Sequence, residues 1–424
     1  MRRMPVVAVA VLAAMALTAV SLRSRWGVWG ERRRSPHGAS EPLDCGVEPS
    51  ERSETRRSDA HVELSHPDKT GPRMLHGDAR HTHRAAGHAP LETPVVVWTR
   101  EVGGPVEAQI VTSPDGQTLY VATLSGALTA LAREDGTVKW TVSLGDRAYA
   151  TPAVADDGTV FAGSDAKKLV ALSPEGKVRW SLDTDGDADT GPAIAPDGTV
   201  VFGAGRMVYG VSQLGFVKWR FAAKRKVFSA PAIAPGGRVF FGSQDHHAYA
   251  LTPLGGVLWS TDLGADVDAG PVVGDDGAVF FGTDADQVVR LDPDDGHVAW
   301  RAKVGGFVRG TLSLSRAGDV LAGTYGPAPR EVRLRSTDGA LLGDFQVLGT
   351  GAREFGVHGG ALEDEAGTLL FGAQDDAVVA VDDSGQLRWR FATGADVDAP
   401  ITLLADGSVA FGSDDGKVYL LRGK

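Results

Sequence analysis

A repeat with a period of about 40 residues is the feature of this sequence that most limits its fold. Residues 151–180 show the unit: four short apolar runs, separated by turn signals such as Asp157-Gly158 and Glu175-Gly176. The last run alternates apolar with polar residues, which is typical of a strand with one buried face. Each unit is therefore predicted to form a four-stranded antiparallel sheet.

A tryptophan near the end of each unit recurs in phase along the chain, and Phe345 is assigned to the one place where it is missing. Two glycines recur with the same period: the glycine of the first turn, such as Gly158, and the glycine five residues later, such as Gly163. A period of about 40 residues with four strands per unit predicts an all-β, eight-bladed β-propeller. The residues predicted to dock each blade on the next are Trp98, Trp140, Trp180, Trp219, Trp259, Trp300, Phe345 and Trp389.

The two ends of the repeat region predict how the ring closes. The last unit, from Asp398 to Leu421, holds only three strands, whereas the strand at 94–100 has no unit of its own. We expect this N-terminal strand to complete the eighth blade as its outermost strand, because that pairing removes an open sheet edge.

The sequence before the repeats predicts export. Arg2 and Arg3 precede an apolar run from Val6 to Leu22, so residues 1–34 are interpreted as a cleaved signal peptide or an uncleaved N-terminal membrane anchor. Three further segments follow: a disordered linker at 35–72, a pre-propeller segment at 73–94 and the propeller at 95–424. The protein is expected in the periplasm, free or membrane-anchored, or outside the cell, with membrane contact only through the N-terminal segment.

Charge and cysteine content limit the partners. From residue 95 onward there are 29 Lys and Arg against 43 Asp and Glu, a net charge of −14. Because phosphate binding requires a basic surface, nucleic acid is not expected as a partner. Cys45 is the only cysteine, which excludes an internal disulfide, and a monomeric propeller is expected.

Four histidines, His76, His81, His83 and His88, lie close together in the pre-propeller segment. Such a cluster is compatible with metal binding, but it contains no cysteine and follows no helical period, so a structural role is favoured and no metal site is predicted.

One mouth of the central channel is the predicted binding site. Aligning the blades on their first turn glycine brings one residue per blade, and its neighbour two positions earlier, to this mouth. Three blades contribute Asp-x-Asp, which indicates a site for a polar ligand, a cation or a peptide, or else a solvated channel with balanced charges. The predicted mouth residues are Glu107, Arg147, Tyr149, Asp187, Asp189, Lys226, Phe228, Asp266, Asp268, Arg309, His358, Asp396 and Asp398.

The sixth unit is longer than the others, with 49 residues between Gly318 and Gly367. The extra residues fall at 325–330 and 348–360, on the predicted mouth face. Variable loops on a rigid scaffold often carry binding, although tolerated drift in one blade is the alternative. The loop candidates are Tyr325, Arg330, Arg353, Glu354 and Phe355.

Units such as DDGTVFAGSDAKKLVALSPEGKVRW (156–180) and DDGAVFFGTDADQVVRLDPDDGHVAW (275–300) resemble the pyrroloquinoline quinone (PQQ)-type propeller repeat. The resemblance covers residues 95–424. The segment HGDARHTHRA at 76–85 is similar to the His-Thr-Gly segment that often precedes the first blade in this family, which implies a structural role for His81 and Thr82.

The PQQ-like family includes quinone-dependent dehydrogenases and non-enzymatic binders, among them the lipoprotein propeller of the outer-membrane assembly machinery. This chain lacks the vicinal cysteines and the insertions of the dehydrogenases, and it has no nucleophile elbow, P-loop or His-Glu-x-x-His motif. The resemblance therefore implies a non-catalytic scaffold with protein partners at the cell envelope and no cofactor. A PQQ- and calcium-dependent oxidoreductase is the alternative, and a ligand- or carbohydrate-sensing propeller is a third possibility.

Overall fold

The computed structural model describes residues 70–326, 328–347 and 356–424. The predicted signal or anchor, most of the predicted linker and Cys45 lie outside these ranges. Within them the chain forms 32 strands, and no helix there is long and apolar enough to cross a membrane.

The strands form eight four-stranded sheets, which confirms the predicted all-β, eight-bladed propeller. We number the blades along the chain, and each sheet runs from a two-residue inner strand to a six- or seven-residue outer strand. Blade 1 contains β2 (Val111–Thr112), β3 (Thr118–Ala122), β4 (Ala127–Ala132) and β5 (Val138–Ser143). Blade 2 contains β6 (Ala153–Val154), β7 (Val160–Ser164), β8 (Lys168–Leu172) and β9 (Val178–Asp183). Blade 3 contains β10 (Ala193–Ile194), β11 (Val200–Ala204), β12 (Met207–Val211) and β13 (Val217–Ala222). Blade 4 contains β14 (Ala232–Ile233), β15 (Val239–Gly242), β16 (His247–Leu251) and β17 (Val257–Asp262).

The second half of the ring repeats this arrangement. Blade 5 contains β18 (Val272–Val273), β19 (Val279–Thr283), β20 (Gln287–Leu291) and β21 (Val298–Lys303). Blade 6 contains β22 (Ser313–Leu314), β23 (Val320–Gly323), β24 (Arg330–Leu334) and β25 (Leu341–Gln346). Blade 7 contains β26 (Leu362–Glu363), β27 (Leu369–Ala373), β28 (Ala377–Val381) and β29 (Leu387–Ala392). Blade 8 contains β30 (Thr402–Leu403), β31 (Val409–Gly412) and β32 (Lys417–Arg422), with β1 (Val95–Glu101) as its outer strand.

The N-terminal strand closes the ring, as predicted. β1 pairs antiparallel with β32, from Val95 opposite Arg422 to Glu101 opposite Lys417. The eighth sheet therefore has the order β1-β32-β31-β30, and this pairing joins the two ends of the repeat region.

Burial explains why the middle strands of each blade are apolar and the outer strand alternates. Every residue of β7 is buried, because neighbouring blades cover both faces of the sheet, whereas β9 alternates between exposed and partly buried positions. Apolar clusters that join neighbouring blades form the core. One of them combines residues of blades 1 and 2, such as Tyr120 and Val160.

The conserved spacing of tryptophan and glycine has a direct packing cause. Trp140 in blade 1 lies against Gly176 in a turn of blade 2, where a Cβ atom would approach the indole to 2.6 Å. The indole Nε1 also donates a 2.8 Å hydrogen bond to the Pro174 carbonyl. Five other tryptophans meet a turn glycine of the next blade in the same way: Trp98, Trp180, Trp219, Trp259 and Trp300. Trp389 instead donates to the carbonyl of Pro90.

The assignment of Phe345 to the tryptophan position is wrong. The strand register of blade 6 places Gly343 opposite Arg333, as Trp300 lies opposite Arg290 in blade 5. Phe345 lies two residues farther along β25 and packs on Phe371 of blade 7, with the ring centroids 5.8 Å apart. A sequence pattern points to Phe345 because it is the aromatic residue nearest the expected position. Only the hydrogen-bond register shows that Gly343 occupies that position.

The seam between blades 6 and 7 consequently lacks an indole. A Cβ atom added at Gly343 would meet nothing within 4 Å, and Gly385 of blade 7 faces the Asp344 carbonyl instead of a ring. A small crevice of about 20 Å³ remains there, lined by Gly343, Phe345 and Glu331 among others.

Residues 70–94, which we call the plug, cross one end of the central channel. Backbone carbonyls of the plug accept hydrogen bonds from amides at the ends of the inner strands, for example from Thr112 to Pro72 and from Val154 to Arg73, both at 2.7 Å. The same pattern recurs in later blades, with Val273 donating to Arg80. The plug therefore lies on the face of the ring that carries the Asp-Gly turns.

Three of the four plug histidines are structural. His81 Nδ1 lies 2.9 Å from the Pro271 carbonyl, and His83 Nε2 lies 2.9 Å from the Ile401 carbonyl. His76 stacks on His83 at 4.0 Å between centroids, with its Nε2 2.9 Å from a backbone carbonyl. Burial, foremost, lowers the pKa of His76 to about 3 and that of His81 to about 4, so both are neutral. His88 lies apart, with 67% of its side chain exposed.

Candidate binding site at the open mouth of the channel

The two faces of the ring have different roles, since the plug occupies the face of the Asp-Gly turns. The opposite face is formed by the loops between blades and by the turns that join the second and third strands of each blade. These turns lie next to the interblade loops, as the hydrogen bond from the Asp165 amide to the Arg147 carbonyl shows. We call this face the mouth, and the predicted Asp-x-Asp residues lie here.

One carboxylate cluster joins blades 1 and 8. Carboxylate oxygens of Glu107, Asp398 and Asp414 all lie within 4.8 Å of one another. Gln374 of blade 7 donates a 3.1 Å hydrogen bond to Asp398 Oδ2, and the Asp398 residue is only 7% exposed. The Oδ1 atoms of Asp398 and Asp414 accept no hydrogen bond from any residue that the structure describes.

Like charges and burial perturb this cluster strongly. Burial first, and then the charges of Asp398 and Asp414, raise the pKa of Glu107 to about 8. Burial and the charges of Asp398 and Asp396 raise the pKa of Asp414 to about 7. At neutral pH the cluster therefore retains a proton, which limits the repulsion between its carboxylates.

A second cluster lies in blade 5, where oxygens of Asp266, Asp268 and Asp284 lie within 4.8 Å of one another. This cluster contains a positively charged side chain, because Arg309 contacts Asp284 at 2.8 Å. Gln244 donates to Asp268 Oδ2 at 3.2 Å, and burial is the main cause that raises the pKa of Asp268 to about 6. The Oδ1 atom of Asp268 has no hydrogen-bond partner among the described residues.

A third group joins blades 2, 3 and 4. Lys226 lies 3.5 Å from Asp187 and 3.7 Å from Asp189, and its ammonium sits 4.5 Å from the centre of the Phe228 ring. Burial, followed by proton sharing with Asp189, raises the pKa of Asp165 to about 7. The mouth therefore carries acidic groups on several sides, with Lys226 and Arg309 already engaged by carboxylates.

The remaining predicted residues extend the same surface. Arg147 lies 3.4 Å from the Tyr149 hydroxyl, and Tyr325 meets the His358 ring edge-on at 5.9 Å between centroids. Burial foremost raises the pKa of Asp396 to about 6.

The loop candidates have different outcomes. Tyr325 is buried at the mouth, bridged to Phe307 and Gly356, whereas Arg330 is held by Asp344 at 2.8 Å on the neighbouring strand. The other three candidates, Arg353, Glu354 and Phe355, lie outside the described residues.

The sequence prediction missed the residue that each cluster receives from a turn between the second and third strands of a blade. Asp165, Asp284 and Asp414 are not among the predicted mouth residues, yet each reaches one of them. All three lie two residues after the glycine near the end of the second strand of their blade, for example Asp284 after Gly282. In four blades the residue at this position contacts a mouth residue 24 or 25 positions later: Asp165 with Asp189, Gln244 with Asp268, Asp284 with Arg309, and Gln374 with Asp398.

These clusters are suited to cationic guests. Carboxylate oxygens are ligands for divalent cations such as Ca²⁺, and they also accept charge-assisted hydrogen bonds from ammonium or guanidinium groups. Although no metal site is predicted from the sequence, both clusters contain three convergent carboxylates.

A larger cavity of about 440 Å³ lies on the opposite face and is lined by the plug. Its polar side chains are largely committed: Arg80 and Arg84 contact Asp275 at 3.1 and 2.9 Å. The buried histidines there are bonded to backbone carbonyls. Among the described buried acceptors without a hydrogen-bond partner, His83 Nδ1 lies at the plug, whereas one oxygen each of Asp189, Asp268, Asp398 and Asp414 lies at the mouth. We place the candidate site at the mouth because it holds more of them.

The family model for the outer membrane protein assembly factor BamB matches this chain over residues 91–188, 150–256 and 244–343, which is more than half of its length. The chain belongs to this family of PQQ-like propellers. No curated protein matches it in sequence.

Solved structures with the same fold include BamB, a dehydrogenase and a designed protein. BamB from Moraxella catarrhalis is 17% identical, with a TM-score of 0.64, and the match covers 78% of this chain and all of that protein. A europium-containing methanol dehydrogenase is 12% identical, with a TM-score of 0.71, over 86% of this chain and all of that one. The computationally designed Ika8 protein is 16% identical, with a TM-score of 0.63, over 79% of this chain and all of that one. At these identities the similarity establishes the fold alone.

Proposed function

We propose that this protein is an exported, non-catalytic scaffold at the cell envelope, which binds a protein partner through the acidic mouth. The observation that carries the proposal is the set of buried acceptors there that lack donors. One oxygen each of Asp189, Asp268, Asp398 and Asp414 accepts no hydrogen bond from the described residues. Because leaving such acceptors without partners costs free energy, a guest that supplies N–H donors is favoured.

The chemistry of the guest follows from the charge of the mouth. Lysine or arginine side chains on the partner would place cationic donors among the carboxylates of the first and second clusters. Aromatic surface is also available, since the half-buried Phe228 belongs to the mouth. Membership of the BamB family supports a protein as the partner and the envelope as the compartment.

The similarity to methanol dehydrogenase favours one alternative, a quinoprotein oxidoreductase. The residues of this chain do not fit the quinone, which carries three carboxylates of its own. Burial first, and then the charges of neighbouring carboxylates, raise the pKa values of Glu107, Asp414 and Asp268, so further carboxylates are disfavoured at the mouth. Lys226 and Arg309 are paired with Asp187, Asp189 and Asp284, so two of the three predicted mouth cations are already engaged by carboxylates. The third, Arg147, contacts the Tyr149 hydroxyl and is a single cation against the three carboxylates of the quinone.

The test is photo-crosslinking in intact cells from a reactive amino acid placed at position 228 in the mouth. We expect one discrete protein adduct, which the double substitution Asp268→Asn and Asp398→Asn removes. The matched control carries the same reactive group at position 338, in an exposed turn of the plug face. Adducts that are equal at both positions, or that persist in the double variant, would contradict the proposal. Dye reduction by the purified protein with alcohol, PQQ and Ca²⁺ would support the oxidoreductase instead.

A further inference from the structure

Two neighbouring blades project uncharged apolar turns from the plug face. The turns between the third and fourth strands of blades 3 and 4 expose Leu214 by 75%, Phe216 by 70% and Leu254 by 80%. We call these three side chains the apolar tips. Leu214 and Leu254 come directly before the glycine of their turn. Five other blades have the same turn, and blade 8 does not, because its outer strand is N-terminal. The equivalent residue in those five blades is polar: Asp135, Glu175, Asp295, Asp338 and Ser384.

The turn of blade 4 packs against the outer strand of blade 3, so the turns that carry the apolar tips are neighbours on the ring. Gly255, next to Leu254, packs on the indole of Trp219, which lies three residues after Phe216 on the outer strand of blade 3. Val217 and Val257, at the starts of the two outer strands, are also exposed. Neighbouring exposed apolar side chains mark an interaction site more often than isolated ones do.

An apolar groove lies directly behind the apolar tips, between the same two blades. Its volume is about 290 Å³, and its walls include Pro196, Val201, Val239 and Pro253. The one acidic residue in its lining, Asp197, is neutralised by Lys218 at 2.8 Å. The groove is therefore suited to a flexible hydrocarbon guest.

The path of the chain indicates what covers this surface. Thr70 lies against Gly116, in an Asp-Gly turn of blade 1, so the preceding residues reach the propeller on the face that carries the apolar tips. Forty-seven residues separate the apolar run Val6–Leu22 from Thr70. A random-coil chain of that length spans roughly 35–40 Å on average, so a membrane that held the apolar run would lie within reach of the face at which Thr70 enters the fold.

Charge supports the same orientation. The eight residues of the two turns, 213–216 and 253–256, carry no charge, whereas the propeller as a whole is acidic. The equivalent plug-face turns of four other blades carry Asp135, Glu175, Asp295 and Asp338. Contact with an apolar layer is therefore favoured at blades 3 and 4 and disfavoured at those four blades.

We propose that the apolar tips insert into the surface of a lipid bilayer, so that the propeller rests on the membrane with its mouth turned toward the partner. This adds a second membrane contact to the N-terminal segment, which is the only one predicted from the sequence. The contact does not depend on what the mouth binds, so it can fail while the proposed binding function holds.

The test uses the full chain with an environment-sensitive fluorophore at one cysteine, in a Cys45→Ser background. Leu254→Cys carries the label at an apolar tip, and Asp338→Cys carries it at the equivalent turn position of blade 6. The proteins are added to vesicles of phosphatidylcholine with and without phosphatidylglycerol. We expect a blue shift and quenching by brominated lipid tails at position 254 only, because both proteins carry the same N-terminal segment and differ only in the position of the label.

A second pair of substitutions separates insertion from mere proximity. Leu214→Gln with Phe216→Gln, in the Leu254→Cys background, should lower the quenched fraction about tenfold, because two apolar side chains no longer leave water. These side chains are exposed, so the variants retain the fold. Equal signals at 254 and 338, or no signal at either, would overturn the proposal. So would a blue shift without vesicles that grows with protein concentration, since it assigns the surface to contact between two copies.

Discussion

The two faces of this propeller handle buried titratable groups in opposite ways. On the plug face, His76, His81 and His83 are buried, neutral and bonded to backbone carbonyls. At the mouth, carboxyl groups are gathered beside one another, and several of their oxygens have no hydrogen-bond partner in the described structure. The difference teaches that one end of the channel contributes to stability, whereas the other end retains unsatisfied acceptors that a guest can use.

The two faces also predict opposite dependence on pH. A histidine whose pKa falls on folding contributes stability above pH 6.5 and loses it as the pH decreases toward 4, as for His81. A carboxyl group whose pKa rises on folding has the reverse effect. Glu107 makes the folded state less stable as the pH increases from about 4.5 toward 8.

The largest expected effect tests the stabilising role of the plug. His76→Ala should lower the free energy of unfolding by about 3–5 kcal/mol, because it removes buried volume and the hydrogen bond that the neutral imidazole donates to a backbone carbonyl. Denaturant unfolding measures this change. His88→Ala is the matched control, since His88 is largely exposed and should leave the midpoint unchanged. A small effect at His76 would break the comparison, as the plug would then be a passive cover.

The second prediction tests the plug through the pH dependence of the free energy of unfolding. His81→Gln should cost about 2 kcal/mol at pH 7, where the neutral imidazole donates to the Pro271 carbonyl. The difference from the wild type should shrink below pH 6.5 by up to about 1.4 kcal/mol per pH unit, because wild-type folding then has to exclude a proton. Chemical unfolding at several pH values between 4.5 and 8 measures it. A difference that stays constant would mean that His81 does not titrate on unfolding.

At the mouth we expect the opposite sign. Glu107→Gln should raise the free energy of unfolding by about 1–2 kcal/mol at pH 9, because it removes a charge that burial and two neighbouring aspartates disfavour. The gain should disappear near pH 5, where wild-type Glu107 is protonated. Glu134→Gln, in an exposed turn of the plug face, is the control for loss of a surface carboxylate. Destabilisation by Glu107→Gln at high pH would remove the distinction between the two faces.

The smallest expected effect concerns the seam between blades 6 and 7, which lacks an indole at Gly343. Gly343→Trp should raise stability by about 1 kcal/mol, since it supplies the indole missing between blades 6 and 7. Gly343→Ala separates the indole from the mere loss of glycine flexibility, and it should gain only a few tenths of a kcal/mol. Thermal unfolding ranks the three proteins. Equal midpoints for all three would show that the seam has already adapted to the glycine.

Much of the fold was predictable because it repeats. The phase of the tryptophans and turn glycines determined the number of blades, and the unpaired N-terminal strand determined the closure with β32. The exception is blade 6, where Gly343 and Phe345 are two residues apart on the same side of one strand. A pattern that counts aromatic residues cannot separate such positions, whereas the hydrogen-bond register can.

The mouth was predictable only in part. Asp268 and Asp398 follow from their place before the inner strands, but their partners Gln244 and Gln374 come from the preceding blade. The periodicity of a single sequence describes each blade by itself. It does not indicate which side chains meet across a seam, nor which of them remain without donors.

The sequence by itself determined the architecture of this protein, because a strand-turn repeat with one docking tryptophan per unit can bury its surface only by stacking its units into a ring. The tertiary structure alone decided the character of the two faces. Burial makes the plug histidines neutral. At the mouth, burial first, and then the convergence of acidic side chains from neighbouring blades, raise the pKa values of Glu107 and Asp414. Both effects depend on distances between residues far apart in the chain, and a repeat pattern does not contain those distances.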